Sequence, residues 1–140
     1  MPSATTSSEP VRVLLVDDNQ LMIARAAAAL ESECVVIGSA TDGQAALRAA
    51  QALEPDVIVL DISMPGMSGF DVATQLHRRG SKCAVVFLTV HDEEEFVEAA
   101  RTAGGLGYVI KPRLASDLAV AVREARAGRP FVSPSDQRRT

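Results

Sequence analysis

Apolar and polar residues alternate along the chain in blocks that predict strands and helices in turn. Five short blocks are almost wholly apolar, which is typical of strands covered on both faces of a parallel sheet. These predicted strands are residues 11–16, 34–40, 57–60, 84–88 and 108–110. Each is followed by a segment with apolar residues at helical spacing. The predicted helices are residues 21–32, 44–53, 70–79, 92–102 and 114–128.

Proline and glycine mark where these elements stop. The segment 44–53 must end before Pro55, because a residue that precedes proline avoids the helical conformation. Pro65 and Gly66 end the apolar run of the third strand, and Gly128 ends the last helix. Strict alternation of strand and helix predicts one α/β domain. We expect a doubly wound, five-stranded parallel sheet between two layers of helices, with right-handed crossovers.

Four of the five predicted strands run into polar residues that could carry chemistry. Asp17 and Asp18 follow the first strand, Asp61 the third, Thr89 the fourth and Lys111 the fifth. Parallel strands end at one edge of a sheet, where ligands bind in open α/β folds, so these side chains are predicted to meet there. Taken singly, Asp61 could cap a turn, Thr89 could end its strand and Lys111 could be a solvated cation. Their convergence favours a functional site.

Three clustered carboxylates require positive charge nearby. Two unit charges about 4 Å apart repel by about 4 kcal/mol at an effective dielectric near 20. Without compensation the repulsion would raise their pKa values. Lys111 and a divalent cation can supply that compensation. An open, all-oxygen site with few protein ligands suits Mg²⁺ better than Ca²⁺, and Mn²⁺ could substitute for Mg²⁺.

Composition and charge narrow the functional class. The 140 residues are 47% hydrophobic and 23% charged, as in a globular domain. A formal net charge of −4 argues against a nucleic-acid surface on this chain, because such a surface must neutralise phosphates. Residues 1–10 lack the basic start and apolar centre of a signal peptide or membrane anchor, and are expected to form a flexible tail. Cys34 and Cys83 fit no metal or redox spacing, so we expect both to be reduced and buried in a cytoplasmic protein.

The chain resembles the receiver domain of bacterial two-component response regulators, which has a flavodoxin-like, CheY-like (βα)5 fold. The residues that carry the resemblance are Asp17-Asp18, Asp61, Met64-Pro65-Gly66-Met67-Ser68-Gly69, Thr89 and Lys111-Pro112. The resemblance covers residues 11–128. Residues 107–111 and 125–134 are similar to the NarL/FixJ type and to the start of its linker. By that likeness, residues 129–140 form a linker-like tail.

The resemblance implies that Asp61 is the phosphoacceptor and receives a phosphoryl group from a phosphohistidine of a sensor histidine kinase. It also implies a Mg²⁺ site formed by the side chains of Asp18 and Asp61, the main-chain carbonyl of Ser63 and, through water, Asp17. Such an ion would neutralise charge on the transferring phosphoryl group and hold it in line with the attacking oxygen. The protein would be a phosphoacceptor, not an enzyme, apart from self-phosphorylation and autodephosphorylation.

The resemblance further implies a switch. Lys111 would pair with one phosphoryl oxygen, Thr89 would donate its hydroxyl to another, and the ring of Tyr108 would occupy the space that Thr89 vacates. Taken alone, Tyr108 could be an ordinary core residue. The face formed by residues 92–128 would carry the change to a partner, an output domain or a second copy.

Three other residues near these motifs are weaker candidates. Val90 stands where the family often has a small residue, which predicts slow phosphorylation by small donors. His77 is expected to be an exposed helix residue. His91 is expected to border the phosphate, and we assign a catalytic role to neither histidine.

Other functions remain open. A Mg²⁺-dependent phosphatase of the haloacid-dehalogenase kind also uses an aspartate nucleophile at a strand end, but it carries a second acid two residues later, where this chain has Ser63. A flavodoxin-like cofactor binder would need a phosphate-cradling loop after the first strand, where Asp17 and Asp18 stand. Within the receiver family, the chain could act alone through protein contacts or control a C-terminal DNA-binding output. The linker-like tail favours the second.

Overall fold

Strands and helices alternate through residues 9–135, which are the residues that the structure, a computed structural model, describes. The strands are β1 (Val11–Val16), β2 (Cys34–Ala40), β3 (Val57–Leu60), β4 (Ala84–Thr89), β5 (Gly107–Ile110) and β6 (Phe131–Val132). The helices are α1 (Gln20–Leu30), α2 (Gly43–Leu53), α3 (Gly69–Arg78), α4 (Glu94–Thr102) and α5 (Leu114–Arg126). A short 3-10 turn, Lys111–Arg113, connects β5 to α5.

The six strands form one parallel sheet in the order β2-β1-β3-β4-β5-β6. The order reverses at β1, so β1 and β3 are neighbours although they are not consecutive in the chain. Because every strand runs the same way, the carboxyl ends of β1, β3, β4 and β5 lie side by side at one edge. The predicted doubly wound α/β fold is confirmed, with a sixth strand added to the five that were predicted.

The sheet is buried on both faces, as its apolar strands require. All four residues of β3 are buried. Ile58 and Leu60 pack on one face, in the cluster that includes α2, α3 and α4, whereas Val57 and Val59 pack on the other face with α1 and α5. Successive side chains of a strand point to opposite faces. An unbroken apolar run is therefore what a sheet between two helical layers needs.

Polar residues at the junctions between strands and helices fix where the helices begin. The Asn19 and Asp42 side chains accept hydrogen bonds from backbone N–H groups in the first turns of α1 and α2. Ser68 and Asp71 form a reciprocal capping box at the start of α3. Caps of this kind contribute about 1 kcal/mol each. They start α1 at residue 20, four residues after β1 ends, and α3 at residue 69, nine residues after β3 ends.

The predicted helix boundaries differ from those observed by at most two residues. The fourth helix was predicted from residue 92 but begins at Glu94, so only Glu94 and Glu95 lie in its first turn. The Asp92 carboxylate instead accepts a hydrogen bond from the Ser135 hydroxyl. The first helix was predicted to residue 32 but ends at Leu30.

The tail predicted from residue 129 contains the short strand β6. It pairs in parallel with β5. The Phe131 N–H donates to the Leu106 carbonyl at 3.1 Å, and the Ser133 N–H donates to the Tyr108 carbonyl at 2.8 Å. A strand of two residues shows no periodicity in the sequence, so the pattern of apolar residues could not predict it. Residues 1–8 and 136–140 of the two predicted tails lie outside the described residues.

Both cysteines are free thiols, as predicted. Cys34 is buried, but Cys83 is only partly buried, so the prediction that both are buried is wrong for Cys83. Burial raises the pKa of each thiol. Such thiols stay protonated and unreactive at neutral pH.

None of the helices within residues 9–135 combines the length and the apolar character needed to cross a membrane.

We predict that Gly69→Ala lowers the free energy of unfolding by about 1–3 kcal/mol, the usual cost of overpacking. A Cβ atom at this position would lie 2.1 Å from the Asp61 carbonyl oxygen, so the backbone itself must shift. Urea unfolding measures the change. Gly80→Ala is the control, because its Cβ would meet nothing within 4 Å. That control should lose only about 1 kcal/mol, from its positive φ of 75°. Wild-type stability in Gly69→Ala would contradict this close packing.

Candidate functional site

Three carboxylates meet at the carboxyl edge of the sheet. Asp17 and Asp18 follow β1, and Asp61 follows β3. One oxygen from each of the three lies within 4.8 Å of the other two. Asp17 and Asp61 are each only 4% exposed, whereas Asp18 is exposed. The predicted acid cluster is therefore present, with two buried members and one that faces solvent.

The lysine that follows β5 neutralises part of this cluster. Lys111 Nζ lies 3.0 Å from Asp17 Oδ2 and 3.5 Å from Asp61 Oδ2. All three side chains are mostly buried, so water screens these interactions less than it screens an exposed pair. One ammonium group serves two buried carboxylates, which leaves a net negative charge before Asp18 is counted. The site favours a further cation or a group that disperses charge.

Backbone groups orient the two buried carboxylates. Asp17 Oδ1 accepts a hydrogen bond from the Asn19 N–H at 2.9 Å, and Asp61 Oδ1 accepts a long one, 3.4 Å, from the Ser63 N–H. The Asp61 N–H donates to the Val16 carbonyl at 3.0 Å. This last bond continues the pairing of β3 with β1 one residue beyond the strand. The Asp61 residue is thus fixed to the end of the sheet.

The surroundings of Asp61 favour its neutral form. Burial raises the pKa of the Asp61 carboxyl, and the nearby Asp17 carboxylate raises it further. Lys111 and the Ser63 N–H act in the opposite direction without cancelling the increase. A carboxylate with a raised pKa is a stronger base and a better nucleophile once it is ionised.

The donor set fits a hard divalent cation such as Mg²⁺. Asp17 Oδ2 is buried and makes no hydrogen bond of good geometry within the described chain, although Lys111 Nζ lies 3.0 Å away. Carboxylate oxygens with an open side toward solvent are what Mg²⁺ uses when it retains several waters. Asp17, Asp18 and Asp61 supply such oxygens. The described residues therefore offer the ligands that sequence reasoning assigned to a Mg²⁺ site.

The predicted switch residues lie next to this cluster and are joined through the backbone of His91. Thr89, at the end of β4, is fully buried, and its Oγ1 accepts a hydrogen bond from the His91 N–H at 3.3 Å. Tyr108 in β5 is 2% exposed, and its hydroxyl donates to the His91 carbonyl at 2.7 Å. The phenol ring therefore already lies inside the protein. Thr89 binds the N–H and Tyr108 binds the carbonyl of His91, so two strands hold the backbone on both sides of its Cα atom.

His91 also contacts the loop that follows Asp61, which sequence reasoning did not predict. Its Nε2 lies 3.0 Å from Ser63 Oγ. Its ring stacks on Phe96 with centroids 4.2 Å apart and planes 5° from parallel. The only sequence signal was the position of His91 two residues after Thr89. The Ser63–His91 contact connects the loop after Asp61 to His91, whose backbone carbonyl binds the Tyr108 hydroxyl.

The weaker candidates are placed as follows. His77 is exposed on α3, as predicted. Val90 is 64% exposed. Neither residue has a described contact with the carboxylates.

Comparison with known proteins gives a consistent family. Residues 13–123 match the family described as the response regulator receiver domain. The positive alginate biosynthesis regulatory protein of Pseudomonas aeruginosa is 40% identical over 118 residues, which cover 82% of this chain and 47% of that protein. The nitrate/nitrite response regulator protein NarL of Escherichia coli is 31% identical over 91% of this chain and 60% of its own length.

Solved structures agree with this match. The signal receiver domain of a putative response regulator NarL from Mycobacterium tuberculosis is 35% identical, with a TM-score of 0.82 over 86% of this chain and 99% of that one. A LuxR-family two-component response regulator from Aurantimonas is 27% identical, with a TM-score of 0.85 over 90% of this chain. The chain spans about half to three-fifths of the length of the curated relatives described above.

We predict that Asp61→Asn raises the free energy of unfolding at pH 7 in the presence of chelator. Burial of the Asp61 carboxylate and repulsion from Asp17 together outweigh the attraction of Lys111, as the raised pKa of Asp61 indicates, so the neutral amide should be the more stable side chain at this position. The raised pKa means that the folded state binds more protons than the unfolded state. Stability therefore falls as pH rises above the ordinary Asp range, and the gain should shrink on acidification. Urea unfolding at several pH values measures it.

Asp117→Asn is the control with the opposite sign. Burial alone would raise the pKa of Asp117, but hydrogen bonds from Arg113, Ser133 and Ser116 outweigh it and lower the pKa. Its ionised form therefore stabilises the fold at neutral pH, and this contribution is lost as pH falls through the lowered pKa. Asp117→Asn should be less stable than wild type at pH 7. If both variants were destabilised in the same way, the electrostatic description of Asp61 would be wrong.

Proposed function

This chain belongs to the response regulator receiver domain family, and we propose that it is a phosphorylation-dependent switch with Asp61 as its phosphoacceptor. The observation that carries the proposal is the position of Asp61. It is a buried carboxylate at the end of β3, next to Asp17, Asp18 and the Lys111 ammonium group. Asp17 shares these neighbours, but it also forms the shorter ion pair with Lys111, at 3.0 Å against 3.5 Å for Asp61, so we assign Asp17 to holding the lysine.

The proposed reaction moves a phosphoryl group from nitrogen to oxygen. An Asp61 carboxylate oxygen attacks the phosphorus of a phosphohistidine on a sensor histidine kinase. A P–O bond forms as the P–N bond breaks, and the imidazole leaves with the electron pair and takes a proton from solvent. The product is an acyl phosphate on Asp61. Reaction requires the ionised carboxylate, so transfer should slow on acidification as Asp61, whose pKa is raised, becomes protonated.

The side chains of Asp18 and Asp61 and the main-chain carbonyl of Ser63 are the proposed ligands of a Mg²⁺ ion, with Asp17 acting through water. When bound, Mg²⁺ neutralises charge on the phosphoryl oxygens and aligns them with the acceptor; Mn²⁺ can replace it. Asp17 also keeps Lys111 in place through the 3.0 Å ion pair. The acids therefore have two tasks, to hold a cation and to hold a lysine.

Lys111 is proposed to respond to the new charge. The phosphoryl group carries between about one and a half and two negative charges in place of the single charge of the carboxylate, so the ammonium group gains a stronger partner than the carboxylates that it contacts here. Thr89 is proposed to move its hydroxyl from the His91 N–H to a phosphoryl oxygen. The His91 backbone, which Thr89 and Tyr108 hold, then shifts, and with it the start of α4.

The proposed switch differs in one detail from the switch that the family resemblance implies. The ring of Tyr108 does not have to enter the interior, because it is already buried. We propose that its hydroxyl keeps its hydrogen bond to the His91 carbonyl and follows the His91 backbone when Thr89 moves. The face formed by residues 92–128 is the proposed contact surface for an output domain or a second copy.

The proposed partners are a sensor histidine kinase and an output region that follows this domain in a transcription regulator. The names of the relatives, which include transcriptional regulatory proteins, support that output over a stand-alone receiver. The acidic charge supports partners other than nucleic acid for this chain, and we propose a cytoplasmic location. A phosphatase is the weaker alternative, since Ser63 stands where such an enzyme needs an acid, and its hydroxyl contacts His91.

Treatment with acetyl phosphate and Mg²⁺ should add one phosphoryl group to the chain, and Asp61→Asn should abolish the addition. Intact-protein mass spectrometry measures both. Asp71→Asn is the matched control, because Asp71 is a carboxylate of the α3 capping box and should leave the addition unchanged. Equal labelling of wild type and Asp61→Asn would contradict the assignment of Asp61.

Asp18→Ala should lower the rate of phosphorylation at least about 100-fold at fixed Mg²⁺, as loss of a metal ligand does. Asp18 is exposed, so the substitution should leave the thermal midpoint nearly unchanged. The rate is measured with a phosphorylated kinase or acetyl phosphate over a Mg²⁺ titration. If the variant in excess chelator matched wild type in Mg²⁺, the proposed role of the metal would be contradicted.

A further inference from the structure

The segment that follows α5 folds back along the edge of β5. Phe131 and Ser133 of this segment donate backbone hydrogen bonds to the carbonyls of Leu106 and Tyr108. We call residues 131–135 the C-terminal strap. The strap places its hydroxyl groups beside the two switch strands, because Tyr108 lies in β5 and β5 pairs with β4.

The first anchor of the strap is a buried polar cluster around Asp117. Ser133 is fully buried, and its hydroxyl donates to Asp117 Oδ2 at 2.7 Å. The same hydroxyl oxygen accepts a hydrogen bond from the Ile110 N–H at 3.3 Å. Asp117 is 5% exposed and also accepts hydrogen bonds from Arg113 and Ser116. This anchor holds the strap to the residues on either side of Lys111.

The second anchor lies on the other side of the strap. The Ser135 hydroxyl donates to Asp92 Oδ2 at 2.7 Å. Asp92 comes three residues after Thr89 and one residue after His91. The backbone N–H of His91 contacts Thr89, and its carbonyl contacts Tyr108. The strap therefore bridges the junction of β5 with α5 and the loop between β4 and α4.

We propose that the C-terminal strap is a conformational latch that detects phosphorylation of Asp61 and passes the change to the chain that follows. The inference rests on the function proposed above, since it assumes that Lys111 and Thr89 move toward a phosphoryl group. Lys111 is covalently linked to Ile110, which bonds Ser133, and Thr89 ends the strand β4, whose following loop carries Asp92. One strap cannot keep both anchors when these two elements shift relative to each other.

The geometry makes the latch sensitive to small shifts. The bond from Ile110 to Ser133 is already 3.3 Å long, just beyond the usual range of about 2.7–3.2 Å for an N–H···O hydrogen bond. The strap has only two residues in strand conformation. Phosphorylation should therefore loosen the strap, and loosening should favour the phosphorylated state by the same factor.

A purely structural role is the competing explanation. A short strand on the outer edge of β5 would protect the sheet against pairing with another chain, whatever the state of Asp61. In that case the strap would be equally protected with and without a phosphoryl group. The two explanations therefore differ in a measurable quantity.

Hydrogen exchange of the Phe131 and Ser133 amides distinguishes them. The 140-residue chain is measured with Mg²⁺ alone and with Mg²⁺ and beryllofluoride, which mimics a phosphoryl group on Asp61. We expect both amides to exchange at least about 5-fold faster with beryllofluoride, the lower end of ordinary allosteric coupling. Unchanged or slower exchange at these amides, with clear changes at Asp61 and Lys111, would overturn the latch alone. No change anywhere would contradict the proposed function as well.

The reciprocal test uses variants of the strap. Ser133→Ala and Ser135→Ala each remove one anchor and should bind beryllofluoride with Mg²⁺ about 5-fold more tightly than wild type. Ser135→Ala changes a residue near the end of the described chain, so it serves if Ser133→Ala does not fold. Ser81→Ala is the matched control, because Ser81 bonds Cys83 in the loop before β4 and lies far from the strap in sequence. Wild-type affinity in both strap variants would overturn the proposal.

Discussion

A single ammonium group, that of Lys111, holds two buried carboxylates at the carboxyl edge of the sheet. Asp17 Oδ2 lies 3.0 Å and Asp61 Oδ2 lies 3.5 Å from the Lys111 nitrogen. One positive charge cannot neutralise two negative ones, so the cluster remains short of cation. The raised pKa of Asp61 follows from this deficit together with burial. Under the proposed function, a metal ion would supply the missing positive charge.

In the proposed switch, the loop after β4 converts charge at Asp61 into movement. Thr89 and Tyr108 hold the N–H and the carbonyl of His91 in this loop, while the side chain of His91 contacts Ser63 beside Asp61. Charge added at Asp61 therefore changes the forces on the start of α4. The same loop carries Asp92, which is bonded to Ser135. A local electrostatic event thus has a continuous path of packed and hydrogen-bonded groups to the end of the described chain.

The fold and the acid cluster could be predicted because they depend on repeating geometry. Unbroken apolar runs such as 57–60 specify a sheet covered on both faces, and parallel strands bring Asp17, Asp61 and Lys111 to one edge. The contacts of His91 and of Ser133 could not be predicted in the same way. These contacts join residues far apart in sequence and depend on loop conformation and side-chain rotamers. Neither loop conformation nor rotamers produce a periodic pattern in the sequence. β6 was missed for a related reason, since two residues are too few to show alternation.

Borohydride reduction of the phosphorylated chain tests the central claim most directly, because it distinguishes an acyl phosphate from a phosphoester. Hydride converts a phosphorylated aspartate into homoserine, whereas phosphorylated serine, threonine or histidine does not yield homoserine. The account predicts homoserine at position 61 after reduction, found by sequencing of the peptide that contains β3. Unreduced Asp61 in a chain that still carries its phosphoryl group, for example on Ser63 or Thr89, would contradict it.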